Sequence, residues 1–245
     1  MASPSAAQEY IKKAADLRES GRLDEAVLAA RRATTVDEDD ANTWWQLSLA
    51  TWERDGPAAA IPHLKKTVSL ADGFAYGWHR LGVAYKSTAM LDQAIDCWER
   101  AIEEDSERAD TLSQLVEAYQ SRDRAGDPDK RFEALKALAG LGRLDGHEWN
   151  LLGICYFERK QHQRAIQCYR RYAAETGSHI AFYNLGLALN SPEVQQRADA
   201  IDAWRRSLEA SGSDYQDAQA RLKNWLPGML ELRQRVLGDG RVLLP

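Results

Sequence analysis

The chain of 245 residues contains only three cysteines and seven prolines, and it has no long apolar run. The cysteines (Cys97, Cys155 and Cys168) are odd in number and form no CxxC pair, which argues against a disulfide framework and against a zinc site. No stretch of about 18 or more apolar residues occurs, so the sequence predicts no membrane-spanning helix. The N-terminal residues lack the basic start and apolar stretch of a secretion signal. These absences predict a protein of the reducing cytoplasm.

The sequence also lacks the short motifs that carry chemistry. There is no HExxH, no P-loop and no GxSxG, and the five histidines show no metal-ligand spacing. The stretch GLGRLDG at 140–146 is off by one residue from the dinucleotide-binding fingerprint and follows no predicted strand. The cysteines stand beside aromatic residues in positions typical of core packing. We therefore expect no enzyme, no catalytic residue, no metal and no cofactor.

What the chain does contain is a set of regularly spaced tryptophans. Trp44 and Trp78 are 34 residues apart, and each is followed by leucine three residues later. Internal repeats of this length are typical of helical-pair proteins. Two stretches carry the fullest pattern: Trp78, Leu81, Gly82, Tyr85, Ala94, Trp98 and Ala101, and then Trp149, Leu152, Gly153, Tyr156, Ala165, Tyr169 and Tyr172.

This arrangement resembles the tetratricopeptide repeat, and the resemblance covers residues 7–212. It implies an all-α, right-handed α-solenoid superhelix of about six helix pairs, closed by a C-terminal capping helix. The predicted repeats are 7–40, 41–74, 75–108, 109–145, 146–178 and 179–212, followed by capping helices at 213–237 and a tail at 238–245. In the fourth repeat Asp127-Pro128 is expected to cap a restarted helix, and Ser191-Pro192 is expected to do so in the sixth.

The stretch NTWWQLSLATW at 42–52 poses a question, because adjacent residues on a helix lie about 100° apart and Trp44 and Trp45 cannot both face one core. The repeat phase places Trp44 at the packing position. The resemblance implies that positions 2, 5, 9 and 12 of each first helix line a concave groove that holds peptides. The predicted groove residues are Trp45, Leu49, Trp52, Tyr76, His79, Val83, Lys86, Asn150, Ile154, Phe157, Tyr183 and Leu187.

Trp45 and Trp52 need something to cover them, because an exposed indole forgoes roughly 3–5 kcal/mol of burial, taking about 25 cal/mol per Å². A partner peptide or helix could cover them, or neighbouring first helices of a tight superhelix could. Self-association and docking of the tail GRVLLP are further alternatives. The Lys and Asn pattern of the two-carboxylate clamp found in some relatives is not present, so we expect a partner read through apolar and aromatic contacts.

The predicted function is a protein–protein interaction module or adaptor, a scaffold that binds a peptide or helical segment of a partner. The alternative is a regulatory or oligomerisation domain of a larger protein that continues beyond residue 245, suggested by the apolar ending RVLLP. A net charge of −5 disfavours nucleic-acid binding, which needs a basic field. Basic pairs such as Arg31-Arg32 recur with the repeat near helix C-termini, where the helix dipole favours them. We expect no nucleic acid and no membrane, and a homo-oligomer is one of the alternatives left open.

Overall fold

The fold is seen in a computed structural model that describes residues 5–211 and residue 220. Over those residues the chain forms helices and no strand. The helices are α1 (Ala6–Glu19), α2 (Leu23–Val36), α3 (Ala41–Asp55), α4 (Pro57–Leu70), α5 (Ala75–Ser87), α6 (Leu91–Glu104), α7 (Ala109–Arg122), α8 (Asp127–Gly140), α9 (Gly146–Glu158), α10 (His162–Thr176), α11 (His179–Leu189) and α12 (Arg197–Ala210).

Consecutive helices pack in pairs, α1 on α2 through α11 on α12. The pairs begin at residues 6, 41, 75, 109, 146 and 179, and the predicted repeats begin at 7, 41, 75, 109, 146 and 179. Successive pairs also pack on each other, through α2 on α3, α4 on α5, α6 on α7 and α10 on α11. The prediction of an all-α solenoid is confirmed. The predicted capping helices at 213–237 and the tail at 238–245 lie outside the described residues, apart from residue 220.

The chain divides between Leu141 and Gly142 into two compact units. The N-terminal unit contains α1–α8 and the C-terminal unit contains α9–α12. The sequence predicted one continuous array for residues 7–212 and gave no sign of this division. Each unit has its own buried apolar residues, and each is described separately below.

A glycine of the first helix meets an aromatic ring of the second helix in three of the pairs. A Cβ atom on Gly82 would lie 2.6 Å from Cδ1 of Trp98, and one on Gly153 would lie 2.5 Å from Cε1 of Tyr169. The buried rings fill the space that the missing side chains leave, and Trp98 is fully buried. Such close approach of two helices needs glycine at these positions.

Indole N–H groups bind backbone carbonyls in this core. Nε1 of Trp98 donates to the carbonyl oxygen of His79 at 3.2 Å, and Nε1 of Trp78 donates to that of Asp72 at 2.6 Å. A buried indole therefore keeps its hydrogen bond while it contributes a large apolar surface. Trp78 in this way ties the start of α5 to the turn that precedes it.

The turn between α2 and α3 is held by the first residues of α3. Nε1 of Trp44 donates to the carbonyl oxygen of Glu38 at 2.8 Å. The backbone N–H of Asp40 donates to the Asp37 carboxylate at 3.2 Å. Asp40 is the N-cap of α3, and its Oδ1 accepts from the backbone N–H of Asn42 at 2.9 Å. We call residues 37–40, which are four consecutive acids, the acidic turn.

The restart in the fourth repeat differs in detail from the prediction. Helix α8 begins at Asp127, but the N-cap is Gly126, in the left-handed conformation. The Asp127 carboxylate instead accepts hydrogen bonds from Arg122 at 2.6 Å and from the backbone N–H of Arg124 at 2.9 Å. In the sixth repeat the expected cap at Ser191-Pro192 is wrong, because α12 begins only at Arg197 after a turn.

Candidate functional site

The structure separates the two adjacent tryptophans of α3 as the helical phase requires. Trp44 packs against a buried cluster that includes Leu17 of α1 and Val27 of α2. Trp45 and Trp52 instead pack against the buried cluster that α4, α5 and α6 share. Both remain half-buried, and Leu49 between them is half-buried as well. Trp45, Leu49 and Trp52 therefore form a stripe on α3 that the N-terminal unit covers only in part.

Trp45 is the centre of a small group of aromatic rings. Its ring lies 5.1 Å from that of Phe74, at an interplanar angle of 86°, and 5.5 Å from that of Tyr76, at 64°. Tyr76 is 39% exposed, and its ring stacks on His79 at 6.1 Å. Edge-to-face geometry of this kind is favourable for aromatic pairs. We call Trp45, Phe74 and Tyr76 the aromatic corner.

Trp52 has a different neighbour, the guanidinium of Arg80. The Arg80 Cζ lies 3.9 Å from the centre of the Trp52 ring, which is cation–π geometry. No carboxylate among the residues that the structure describes forms an ion pair with Arg80, and its buried Nε has no hydrogen-bond partner there. The Arg80 guanidinium thus covers part of the Trp52 indole, while its Nε–H donates no hydrogen bond to any described residue.

The other predicted groove residues of the N-terminal unit are partly occupied by contacts to α7. His79 is only 9% exposed, and its Nδ1 lies 2.8 Å from Oγ1 of Thr111. Burial lowers the pKa of His79 below its ordinary value, with the Asp110 carboxylate acting in the opposite sense. Lys86 donates to the Glu117 carboxylate at 2.6 Å. Val83 is half-buried. These side chains connect neighbouring pairs as well as bordering the predicted groove.

In the C-terminal unit the predicted residues lie on α9 and α11 and are half-buried. Nδ2 of Asn184 donates to Oδ1 of Asn150 at 2.9 Å, which joins the two helices. The Phe157 ring lies 5.0 Å from that of His162 in edge-to-face geometry. The remaining members, which pack against the buried cluster of this unit, are Ile154, Tyr183 and Leu187.

A cleft of about 530 Å³ opens beside the aromatic corner. Trp45 and Phe74 line it, together with Asp40 and Asn42 at the start of α3 and with residues at the end of α4. Ligand sites in proteins have volumes of roughly 300–1,000 Å³ and mostly apolar walls with a few polar groups. The cleft fits this description, and it contains two residues of the aromatic corner and one member of the acidic turn.

Three side chains that contact predicted groove residues within one or the other unit were absent from the predicted set. Phe74 is the N-cap residue of α5 and lies outside the four groove positions. Arg80 and Asn184 occupy position 6 of their first helices, one residue beyond the position counted as lining the groove. Counting position 6 of each first helix together with position 5 would have included both residues.

Among residues 5–211 and 220, no group of three or more histidine, cysteine, aspartate or glutamate side chains could hold a metal ion. No helix in that part of the chain is long and apolar enough to cross a membrane.

The family model described as the tetratricopeptide repeat matches residues 75–108. The structure resembles that of YrrB, titled a TPR protein with an unusual peptide-binding site, with a TM-score of 0.62 and 19% identity over 80% of this chain and 98% of that one. It also resembles MamA from AMB-1, with a TM-score of 0.56 and 17% identity over 69% and 90% of the two chains.

A further similar structure is PilF of Pseudomonas aeruginosa, with a TM-score of 0.53 and 17% identity over 88% of this chain and 97% of that one. No curated protein sequence matches the chain. At these identities the structures show a common fold. The chain therefore contains a tetratricopeptide repeat at 75–108, and the helix pairs on either side of it have the fold of the YrrB structure.

Proposed function

We propose that this protein is a protein–protein interaction module that binds a peptide or helical segment of a partner on its predicted concave face. One observation carries the proposal: Trp45, Trp52 and Tyr76 of the N-terminal unit are incompletely buried, the Tyr76 ring packs on that of Trp45, and Trp45 lines a cleft of about 530 Å³. Neighbouring residues cover the two tryptophans in part. A partner would remove the remaining apolar surface from water.

The chemistry of the surface favours apolar and aromatic anchors. Trp and Tyr are the residues that most often dominate the affinity of protein interfaces, because they bury large areas and lose little side-chain entropy. Lys86, a charged group nearby, already has an ion-pair partner in Glu117. A partner would therefore gain more from filling the cleft than from replacing that pair.

Support for a peptide as the ligand comes from the fold. The structure of YrrB, which has the same fold, is described as containing an unusual peptide-binding site. In the present chain, α9 and α11 of the C-terminal unit offer a second half-buried surface of the same helix positions, through Asn150, Ile154, Phe157, Tyr183 and Leu187. The proposal includes an adaptor role in the cytoplasm and involves no catalytic step, nucleic acid or membrane.

The experiment compares partner capture by three proteins. Wild type, a Trp45→Ala/Trp52→Ala variant and a Leu28→Ala control serve as baits, and an identified partner is then titrated against each by tryptophan or label fluorescence. Leu28 is 60% exposed on α2, outside the groove positions, so its loss removes surface apolar area elsewhere. Truncating both indoles is expected to weaken binding by at least about 2 kcal/mol, roughly 30-fold in Kd.

A partner that binds the double variant and wild type equally would overturn the groove assignment. The control should bind like wild type. Gel filtration at several concentrations covers the remaining alternative: if wild type self-associates and the double variant does not, the occupant of this face is a second copy of the chain.

A further inference from the structure

The cleft beside the aromatic corner has a charge that the proposed function does not use. Asp40 lines the cleft, and it is the last residue of the acidic turn. Its Oδ1 accepts the capping hydrogen bond from Asn42. No basic side chain among the described residues forms an ion pair with Asp40 or with any other member of the acidic turn. The Asp40 carboxylate thus lines the cleft without a counter-charge from the described residues, and three more acids precede it in the chain.

The walls of the cleft are suited to the aliphatic stem of a side chain. Trp45 and Phe74 meet at 86° with their centres 5.1 Å apart, so that the two rings form adjacent walls. Long basic side chains bury their methylene stems against apolar surface and keep the charged end in water. A cation near aromatic rings gains further attraction from the ring quadrupole. An acid at the rim completes the set of contacts that such a side chain needs.

We infer that this cleft binds an arginine or lysine side chain of the partner, with its stem against Trp45 and Phe74 and its cationic end at Asp40. This inference rests on the proposed function and names the chemistry that its N-terminal unit recognises. Charge complementarity selects the occupant: an acidic side chain would bring a second negative charge to Asp40, and an uncharged one would leave the Asp40 carboxylate without a counter-charge.

The test uses single blocked amino acids as probes. N-acetyl-arginine amide, N-acetyl-norleucine amide and N-acetyl-glutamate amide are titrated into the ¹⁵N-labelled full chain, and the indole Nε1 resonances are followed by NMR. Trp45→Phe assigns the Trp45 signal. We expect the arginine probe to shift the Trp45 indole at concentrations about three- to tenfold lower than the norleucine probe, the scale of an exposed ion pair combined with a cation–π contact. The glutamate probe should be weakest.

Asp40→Asn is the decisive variant. Asparagine caps a helix about as well as aspartate, so α3 keeps its N-cap while the rim loses one charge. The preference for arginine over norleucine should then shrink by about half or more, and added salt should shrink it in wild type. Leu28→Ala serves as the matched control and should preserve the preference.

The inference is wrong if norleucine binds as well as arginine, if Asp40→Asn leaves the preference intact, or if the Trp45 signal does not move with any probe. The first two results leave an apolar groove, and with it the proposed function, in place. Loss of the proposed function would appear in the partner titration, where the double tryptophan variant would bind like wild type.

Discussion

Replacing Gly82 by alanine tests whether the close contact between α5 and α6 determines the packing of the third pair. The added Cβ would lie 2.6 Å from Cδ1 of Trp98, about 1 Å inside the optimal carbon–carbon separation of about 3.5–4.0 Å. The ring cannot retreat easily, because Trp98 is fully buried and its Nε1 binds the carbonyl oxygen of His79. Overpacking of this kind costs about 1–3 kcal/mol.

Gly140 provides the matched control. It is the last residue of α8 in the same unit, and an added Cβ would meet nothing within 4 Å. Alanine is favoured over glycine in a helix by up to about 1 kcal/mol, and both substitutions gain from this preference. We therefore expect Gly82→Ala to lower the free energy of unfolding by about 1–3 kcal/mol, while Gly140→Ala leaves it unchanged or raises it by up to about 1 kcal/mol.

The assay is urea unfolding followed by circular dichroism at a helical wavelength and by tryptophan fluorescence. The slope of the transition should stay constant, so that a change in midpoint reports stability. If Gly82→Ala proves as stable as Gly140→Ala, then Trp98 can move aside, and the explanation of glycine at this repeat position by ring contact is refuted.

Three further outcomes are expected. Hydrogen bonds from Arg122 hold the pKa of Asp127 down at about 2. This carboxylate therefore stabilises the fold above its unfolded-state pKa of about 4 and ceases to do so as pH falls towards 2. The difference in unfolding free energy between wild type and Asp127→Ala, measured by urea titration, should shrink over that range. Burial raises the pKa of Cys97 to about 12 and that of Cys168 to about 11. A thiol reagent at pH 8 should therefore label neither cysteine until the protein is unfolded. Fast labelling of the native protein would contradict their packing. Pro62 is exposed inside α4 and removes a helical N–H, so Pro62→Ala should raise the unfolding free energy by about 1–3 kcal/mol in thermal or urea melts. An unchanged or lower stability would show that restriction of the unfolded chain by proline outweighs the lost hydrogen bond.

The sequence predicts the helical pairs well because their determinants are local and recur. Gly82 and Trp98, or Gly153 and Tyr169, are complementary in size at a fixed spacing, and the packing they indicate is present. The separation of Trp44 from Trp45 follows from helical phase alone. These features need only the period of the sequence, and that period is visible in the positions of the aromatic residues.

The candidate site was less predictable, because its contacts join residues of different repeats. His79 was expected to line a groove, and its ring is largely buried against Thr111 of the next pair. The guanidinium of Arg80 covers Trp52, 28 positions earlier in the chain. A repeat pattern says which face a residue is on, but the reach of a long or polar side chain towards a neighbour depends on the distance between pairs. The cap at Asp127 was misjudged for a similar reason, since a single arginine competes for its carboxylate.

The hydrogen bonds that fix the acidic turn have a consequence for protein engineering. Glu38 contributes its backbone carbonyl oxygen to the Trp44 indole, and Asp39 is exposed, so neither side chain is needed for the shape of the turn. Their charges can therefore be reversed without rebuilding the loop. A library restricted to these two codons would vary the charge next to Asp40 on an unchanged scaffold, which makes the connection between the first two repeats a suitable place to probe the proposed recognition.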